Sequence, residues 1–251
     1  MMKGKKIIVV IPARNAARTL MAVVKEIPRQ IVDEIIMVDD ASTDETSEIA
    51  KRLNLKVIRH KKRRGYGGAQ KTLYLEALKS GADIVVMVHA DNQYDPKLIP
   101  QMVAPIAKER ADVCFGSRMA VKRNALKGGM PLWRFIPNFA LTVVEESILR
   151  LGLSEYHTGY RAFSRETLLA IPFEKNSDDY IFDTEILVEL CLGNFHAAEI
   201  PIPTRYFKEA SSPGFFASLK YGFMTLWQLA RYLFHIFGIK NYPQFNITRN
   251  E

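Results

Sequence analysis

Cysteine is scarce: the chain has 251 residues and two cysteines, Cys114 and Cys191, each within an apolar stretch. A disulfide framework is not expected, and a reducing compartment is. Long apolar runs are missing too. The first one, Ile7 to Ile11, stops at Pro12 and Arg14, too short for the core of a secretory signal. Residues 221–239 are interrupted by Arg231 and His235, with Lys220 just before them, so no clean stretch of roughly 20 apolar residues exists and no membrane span is predicted. Internal repeats and low-complexity tracts are absent. There is no acidic excess either. The formal net charge is +8, with a dense basic cluster at Lys56, Arg59, His60, Lys61, Lys62, Arg63 and Arg64. Such a surplus favours phospholipid, nucleotide or nucleic acid as partner. The cluster lacks interleaved aromatics, which argues against nucleic acid.

What is present is ample material for a core, with 48% hydrophobic residues, enough for one large domain or two small ones. Strand-like runs at Ile7–Ile11, Ile35–Val38, Lys56–Arg59, Ile84–Val88 and Val113–Phe115 alternate with helical patterns. That alternation predicts an α/β fold, an open and mainly parallel sheet flanked by helices. Leu20, Val23, Val24 and Ile27 repeat at helical spacing, Ser42-Thr43-Asp44-Glu45 reads as a capping box, and a third helix is expected from Gly68 to Ser80. A long helix follows at about 137–151, then a helix containing Phe182-Asp183-Thr184-Glu185 and a strand around Ile200–Tyr206. The first 212 residues are expected to form one domain, with 213–251 a C-terminal amphipathic segment. Its Phe215, Phe216, Tyr221, Phe223, Trp227, Tyr232, Phe234 and Phe237, mixed with Lys220 and Arg231, suit a helix lying in a membrane interface. A core helix or a dimer contact are the other readings.

In an open α/β sheet, ligands bind outside the carboxyl ends of the strands. The notable residues cluster there: Pro12-Ala13-Arg14-Asn15 after the first strand, Asp39-Asp40 after the second, Gly65-Tyr66-Gly67-Gly68 after the third and His89-Ala90-Asp91 after the fourth. Asp39 and Asp40 are expected to accept hydrogen bonds from a base or ribose. Gly65, Gly67 and Gly68 are expected to let backbone amides approach phosphate near a helix start. If the chain stays extended past the fourth strand, His89, Asp91 and Gln93 share one side. They would then form a mixed nitrogen and oxygen site for Mn²⁺ or Mg²⁺ rather than a structural zinc site. A cation beside Asp91 would turn a nucleoside diphosphate into a good leaving group. Arg118, Arg161 and Arg205 are candidate phosphate holders. Asp183 and Glu185 diverge on a helix, and either is a candidate general base for a hydroxyl acceptor, whereas an ionised phosphate acceptor needs none.

Together these segments resemble the family 2 glycosyltransferases of the GT-A type, especially the dolichyl- and polyprenyl-phosphate mannose or glucose synthases. Ile11-Pro12-Ala13-Arg14-Asn15 is similar to the family's N-terminal nucleotide motif, and Val38-Asp39-Asp40-Ala41-Ser42-Thr43-Asp44 to its acidic turn. Gly65-Tyr66-Gly67-Gly68-Ala69 resembles its glycine loop, and His89-Ala90-Asp91-Asn92-Gln93-Tyr94-Asp95-Pro96 its metal segment. Gly116-Ser117-Arg118, Thr158 to Phe163 and Phe182 to Glu185 match further on, and Thr204 to Ser212 resembles the late Arg-containing loop only loosely. The sequence departs from the pattern twice. His89 stands in place of an aspartate, and Ala16 in place of an acidic residue.

The resemblance implies an inverting, metal-dependent hexosyltransferase. Its donor would be a UDP- or GDP-sugar and its acceptor polyprenyl or dolichyl phosphate. The protein would be cytoplasmic, peripheral on the cytoplasmic membrane face, with an oligomer compatible. Pro12, Ala13, Arg14, Asn15, Asp39, Asp40, Gly67, Gly68, Lys71 and Ala90 would hold the donor. His89, Asp91 and Gln93 would hold the metal, and Asp91, Asp183, Arg118 and Arg205 would carry the reaction. The alternatives are a family 2 enzyme with a hydroxyl acceptor, a sugar-1-phosphate nucleotidyltransferase, against which Pro12 to Asn15 speak, and a nucleotide-sugar-binding pseudoenzyme.

Overall fold

The computed structural model describes residues 4–121, 130–203 and 215–247. The basic stretch 122–129 and the loop containing Arg205 lie outside them, as do the side chains of Phe215 and Phe216. Seven strands, β1 (Ile7–Ala13), β2 (Glu34–Asp39), β3 (Lys56–Arg59), β4 (Ile84–Met87), β5 (Val113–Ser117), β6 (Arg161–Ser164) and β7 (Ala197–Pro201), form one sheet in the order β3-β2-β1-β4-β6-β5-β7. Strand β6 is antiparallel to both neighbours, and the other pairings are parallel. The sheet is mainly parallel, as expected. The reversed strand in its middle was not. Arg-Ala-Phe-Ser carries no clear period-two signal, and an arginine at a fully buried position runs against the usual exposure of that residue.

The helices are α1 (Leu20–Glu26), α2 (Thr46–Arg52), α3 (Tyr66–Lys79), α4 (Ile99–Ala107), α5 (Leu132–Leu149), α6 (Arg165–Ala170), α7 (Phe182–Leu192) and α8 (Phe215–Ile236). The sheet is buried on both faces. Along β1, Ile7, Val9 and Ile11 join one apolar cluster, and Ile8 and Val10 the other. This two-residue alternation is what turns a continuous apolar run into a central strand.

Helix α2 starts later than the Ser42–Glu45 box implied. Ser42 Oγ accepts the Asn15 N–H at 2.9 Å instead, and Asp44 accepts the Thr46 N–H at 3.1 Å. Helix α5 begins before Pro137 and carries that proline in its interior. Residues after 214 share the core of the rest, since Leu229, Tyr232, Tyr242 and Phe245 belong to the cluster that holds Ile8 and Val10. Among the described residues, no helix is long and apolar enough to cross a membrane.

Candidate active site

The loops leaving β1, β2 and β4 hold left-handed residues at their tips, Asn15 (φ 51°), Ala41 (φ 57°) and Asn92 (φ 61°). Such conformations cost energy for residues other than glycine and persist where neighbours enforce them. Here the first two loops are laced together. Asn15 Oδ1 accepts the Thr43 N–H at 2.9 Å, Thr46 Oγ1 accepts the Ala16 N–H at 2.8 Å, and Asp44 accepts the Ala17 N–H at 3.1 Å. Arg14 and Asn15 are exposed at this rim, Pro12 is half-buried, and Ala13 and Ala90 are buried.

Both acids of the second loop are held by the chain itself. Asp39 is fully buried and accepts from Ser42 N–H at 2.8 Å and from the Ser47 hydroxyl, with Arg59 Nε at 3.4 Å. Asp40 accepts from Arg64 N–H at 2.7 Å, Gly65 N–H at 2.9 Å and His60 Nδ1 at 2.8 Å. Both carboxylates therefore take part in building the loops at this rim. Burial acts to raise the Asp40 pKa, but the hydrogen bonds from Arg64, His60 and Gly65 outweigh it and lower it. A carboxyl depressed in the folded state stabilises fully above its unfolded pKa of about 3.9, and loses that contribution as pH falls through the folded value. Urea titrations of wild type and Asp40→Asn should show a wild-type advantage that is full at neutral pH and shrinks below about pH 4. An advantage independent of pH contradicts this.

The glycine loop is likewise engaged by the chain itself. Gly67 and Gly68 N–H both donate to the Asp178 carbonyl, at 2.9 and 3.3 Å. A Cβ on Gly67 would sit 2.3 Å from the Ser177 carbonyl oxygen. These glycines admit the 177–178 loop against the start of α3. Lys71 Nζ donates to the Asn176 carbonyl at 2.5 Å and pairs with Asp178 at 2.7 Å.

Beyond β4 the chain does not stay extended. The strand ends at Met87, Asn92 turns left-handed, and Asp91 Oδ1 accepts the Gln93 N–H at 3.2 Å. The alternation argument for His89, Asp91 and Gln93 thus fails geometrically. The first two nevertheless stay close enough for Asp91 to be the strongest charge acting on His89. Burial is the larger influence and holds the imidazole below its usual pKa. Among the described residues, no cluster of three or more His, Cys, Asp or Glu side chains is placed to hold a metal ion.

Opposite His89 lies Asp183, on α7. Its Oδ1 accepts from Gln70 Nε2 at 3.0 Å and faces Arg161 Nη1 at 3.1 Å, and its Oδ2 accepts from the Tyr66 hydroxyl at 3.1 Å. Tyr66 is stacked on Tyr180 with ring centroids 5.1 Å apart. Arg161 is fully buried and donates through Nε to the Thr158 carbonyl at 2.7 Å. It clamps Asp183. Glu185 faces elsewhere, accepting from Ser177 N–H at 2.6 Å, and of the two acids Asp183 is the one that lies beside Tyr66 and His89. Tyr66 and Gln70 escaped the sequence reading. Their four-residue spacing on one helical face beside the glycine cluster was the available signal.

Arg118, at the end of β5, directs its guanidinium to the buried Glu155 carboxylate and to the His157 carbonyl at 2.8 Å. A bidentate grip on phosphate would require it to leave Glu155. His157 also connects the site to the C-terminal helix. Its Nδ1 lies 3.2 Å from the Tyr221 hydroxyl on α8, which lies 3.3 Å from Thr184 Oγ1, the neighbour of Asp183.

With this arrangement in hand, the profile of glycosyl transferase family 2 matches residues 8–169. The chain belongs to glycosyl transferase family 2. An uncharacterised protein of Methanocaldococcus jannaschii is 34% identical to this family member over 224 residues, which cover 89% of this chain and 90% of that one. UDP-N-acetylglucosamine–dolichyl-phosphate N-acetylglucosaminyltransferase of Methanococcus voltae is 29% identical, with coverages of 91% and 96%. Undecaprenyl-phosphate mannosyltransferase of Micrococcus luteus is 24% identical, with coverages of 78% and 82%. The GT-A fold is shared with glucosyl-3-phosphoglycerate synthase of Mycobacterium tuberculosis, solved with Mn²⁺, UDP and glucosyl-3-phosphoglycerate. The TM-score is 0.68 at 22% identity, covering 95% of this chain and 82% of that one.

Proposed function

We propose that this family 2 chain is an inverting hexosyltransferase that moves a hexose from a nucleoside diphosphate sugar to a polyprenyl phosphate at a membrane surface. The observation that carries the lipid acceptor is an apolar face beside the site. Leu132, Ile136, Phe139 and Val143 of α5, and Leu219, Phe223, Leu226 and Trp227 of α8, are all exposed. Their spacing places each set on one side of its helix, and the two helices pack together. Helix α8 contains no acidic residue, and Lys220 is exposed on it. Apolar surface with basic charge suits an anionic lipid surface. The relatives named for dolichyl and undecaprenyl phosphate support the same reading.

His89 and Asp91 fit a cation site that the substrate completes, since one imidazole and one carboxylate leave positions for diphosphate oxygens. A divalent cation held there would neutralise the charge developing on the departing nucleoside diphosphate. The bond from the anomeric carbon to the donor phosphate breaks with its electron pair leaving on the nucleotide. An acceptor phosphate oxygen forms the new bond from the opposite face. No proton has to be removed from an ionised phosphate. Asp183, already receiving Gln70, Tyr66 and Arg161, suits that acceptor better than a hydroxyl, which would need an available base.

The direct test offers UDP- and GDP-hexoses with Mn²⁺ or Mg²⁺ to undecaprenyl phosphate and, separately, to oligosaccharide hydroxyls. Transfer to the phosphate is expected. Transfer to hydroxyls alone would make this a saccharide-extending enzyme, and nucleotide-sugar binding without turnover would make it a pseudoenzyme. For the surface itself, serine at Leu219, Phe223 and Trp227 together should lower partitioning onto phosphatidylglycerol vesicles by at least tenfold, since each buried apolar side chain contributes about 1.5–3 kcal/mol. Unchanged flotation refutes membrane docking, and a loss of dimer on sedimentation assigns the face to a second copy.

A further inference from the structure

The ring of His89 sits in a fitted enclosure. Tyr66 and Tyr94 meet it edge-on, with centroids at 5.7 and 5.2 Å. On another side lies Gly159, where an added Cβ would stand 2.5 Å from both His89 Cε1 and Nε2. Any side chain at position 159 would displace the imidazole. Gly159 is itself anchored, its N–H donating to the Tyr94 hydroxyl at 2.8 Å.

The hydrogen bonds around this enclosure assign its protons. The Gln70 amide oxygen accepts from the Tyr74 hydroxyl at 2.7 Å, which leaves the Gln70 nitrogen directed at Asp183. Arg161, always charged, faces the same carboxylate. Asp183 is therefore the ionised acceptor in this group, and the Tyr66 hydroxyl, 3.1 Å from its Oδ2, gives its single proton to it. His89 Nε2 lies 3.2 Å from the same hydroxyl oxygen. With the Tyr66 proton committed to Asp183, Nε2 has to be the donor, and in a neutral ring Nδ1 then carries the lone pair.

We propose that Tyr66 and Gly159 are positioning residues that seat His89 as the Nε2–H tautomer, making Nδ1 a nitrogen donor beside Asp91 for a divalent transition-metal ion. The inference rests on the cation site of the proposed function and adds the tautomer of its imidazole, the nitrogen that faces the ion and the residues that set both. A ligating imidazole is oriented by the hydrogen bond from its other nitrogen, and loss of that partner costs about 10–100-fold in metal affinity. Imidazole also favours Mn²⁺ or Co²⁺ over Mg²⁺, which prefers oxygen.

Two spectroscopic readouts test this without an acceptor. In the metal-free full chain labelled with ¹⁵N-histidine, long-range ¹H–¹⁵N correlation should show His89 with a protonated Nε2 and an unprotonated Nδ1. A protonated Nδ1 overturns the seat whatever any variant does. In the chain loaded with Mn²⁺ and UDP, electron spin-echo modulation should show one directly bound histidine nitrogen, absent in His89→Asp. Bound Mn²⁺ without nitrogen modulation, or no Mn²⁺ binding, overturns the ligand. Tyr66→Phe, which keeps the ring and its stacking on Tyr180, should mix the tautomers and weaken Mn²⁺ at least tenfold while changing Mg²⁺ less than threefold. Equal weakening of both ions would make Tyr66 merely structural and overturn its positioning role. A chain that passes these tests but transfers no sugar to undecaprenyl phosphate keeps the seat and loses only the acceptor.

Discussion

Asp91→Asn is expected to lower sugar transfer by about a thousandfold or more with the fold intact. Asp91 is half-buried in the turn after β4, and its Oδ1 accepts the Gln93 N–H, a bond that an asparagine oxygen can also accept. The turn survives, and what disappears is the negative charge that holds a cation against the donor diphosphate. Electrostatic stabilisation of several kcal/mol by such an ion corresponds to about three decades of rate at ~1.4 kcal/mol each. Single-turnover assays with saturating nucleotide sugar, alongside thermal melts, check both halves. Turnover within tenfold of wild type in a folded Asp91→Asn protein would remove Asp91 from the reaction. A collapsed melting temperature would make it a structural residue.

Arg161→Met should have the largest effect on stability, costing about 3–5 kcal/mol. The side chain is fully buried, lies 3.1 Å from Asp183, donates to the Thr158 carbonyl, and sits 5.4 Å from the centre of the Phe115 ring. Burial opposes its charge, yet Asp183 outweighs the penalty and raises the Arg161 pKa. Removing the guanidinium leaves a buried carboxylate with a charge partner missing and a carbonyl unpaired. At about 2–4 °C per kcal/mol for a chain of this size, the melting temperature should fall by about 10 °C. Adding Asp183→Asn should recover part of the loss, because the double variant no longer buries an unpaired charge. A single-variant cost below about 1 kcal/mol, or a strictly additive double variant, would show that the pair is not coupled.

The same pair shows why parts of the site were hidden in the sequence. Asp183 was legible as a candidate because it sits beside Glu185 at the start of a helical pattern, and the two do diverge. Its partners were not legible. Tyr66 is 117 residues away and Gln70 is 113, and only the packing of α3 beside α7 joins them. The buried place of Arg161 was not legible either, since arginine is seldom buried and only the sheet order puts β6, which carries it, between β4 and β5.

The amino-acid order by itself determined the α/β alternation, the positions of the first five strands to within two residues, the clustering of polar residues at strand ends, and the aromatic, acid-free character of α8, whereas it missed β6 and set the last strand several residues too late. These are local properties, set by period, turn chemistry and composition over a few residues. The tertiary structure alone decided which partners these polar groups meet within the chain. Asp39 and Asp40 hold loops together, Gly67 and Gly68 receive the Asp178 carbonyl, and Lys71 binds Asn176 and Asp178. A buried polar group takes whichever partner the topology brings within about 3 Å. That choice lies in the meeting of distant segments, which spacing along the chain does not encode.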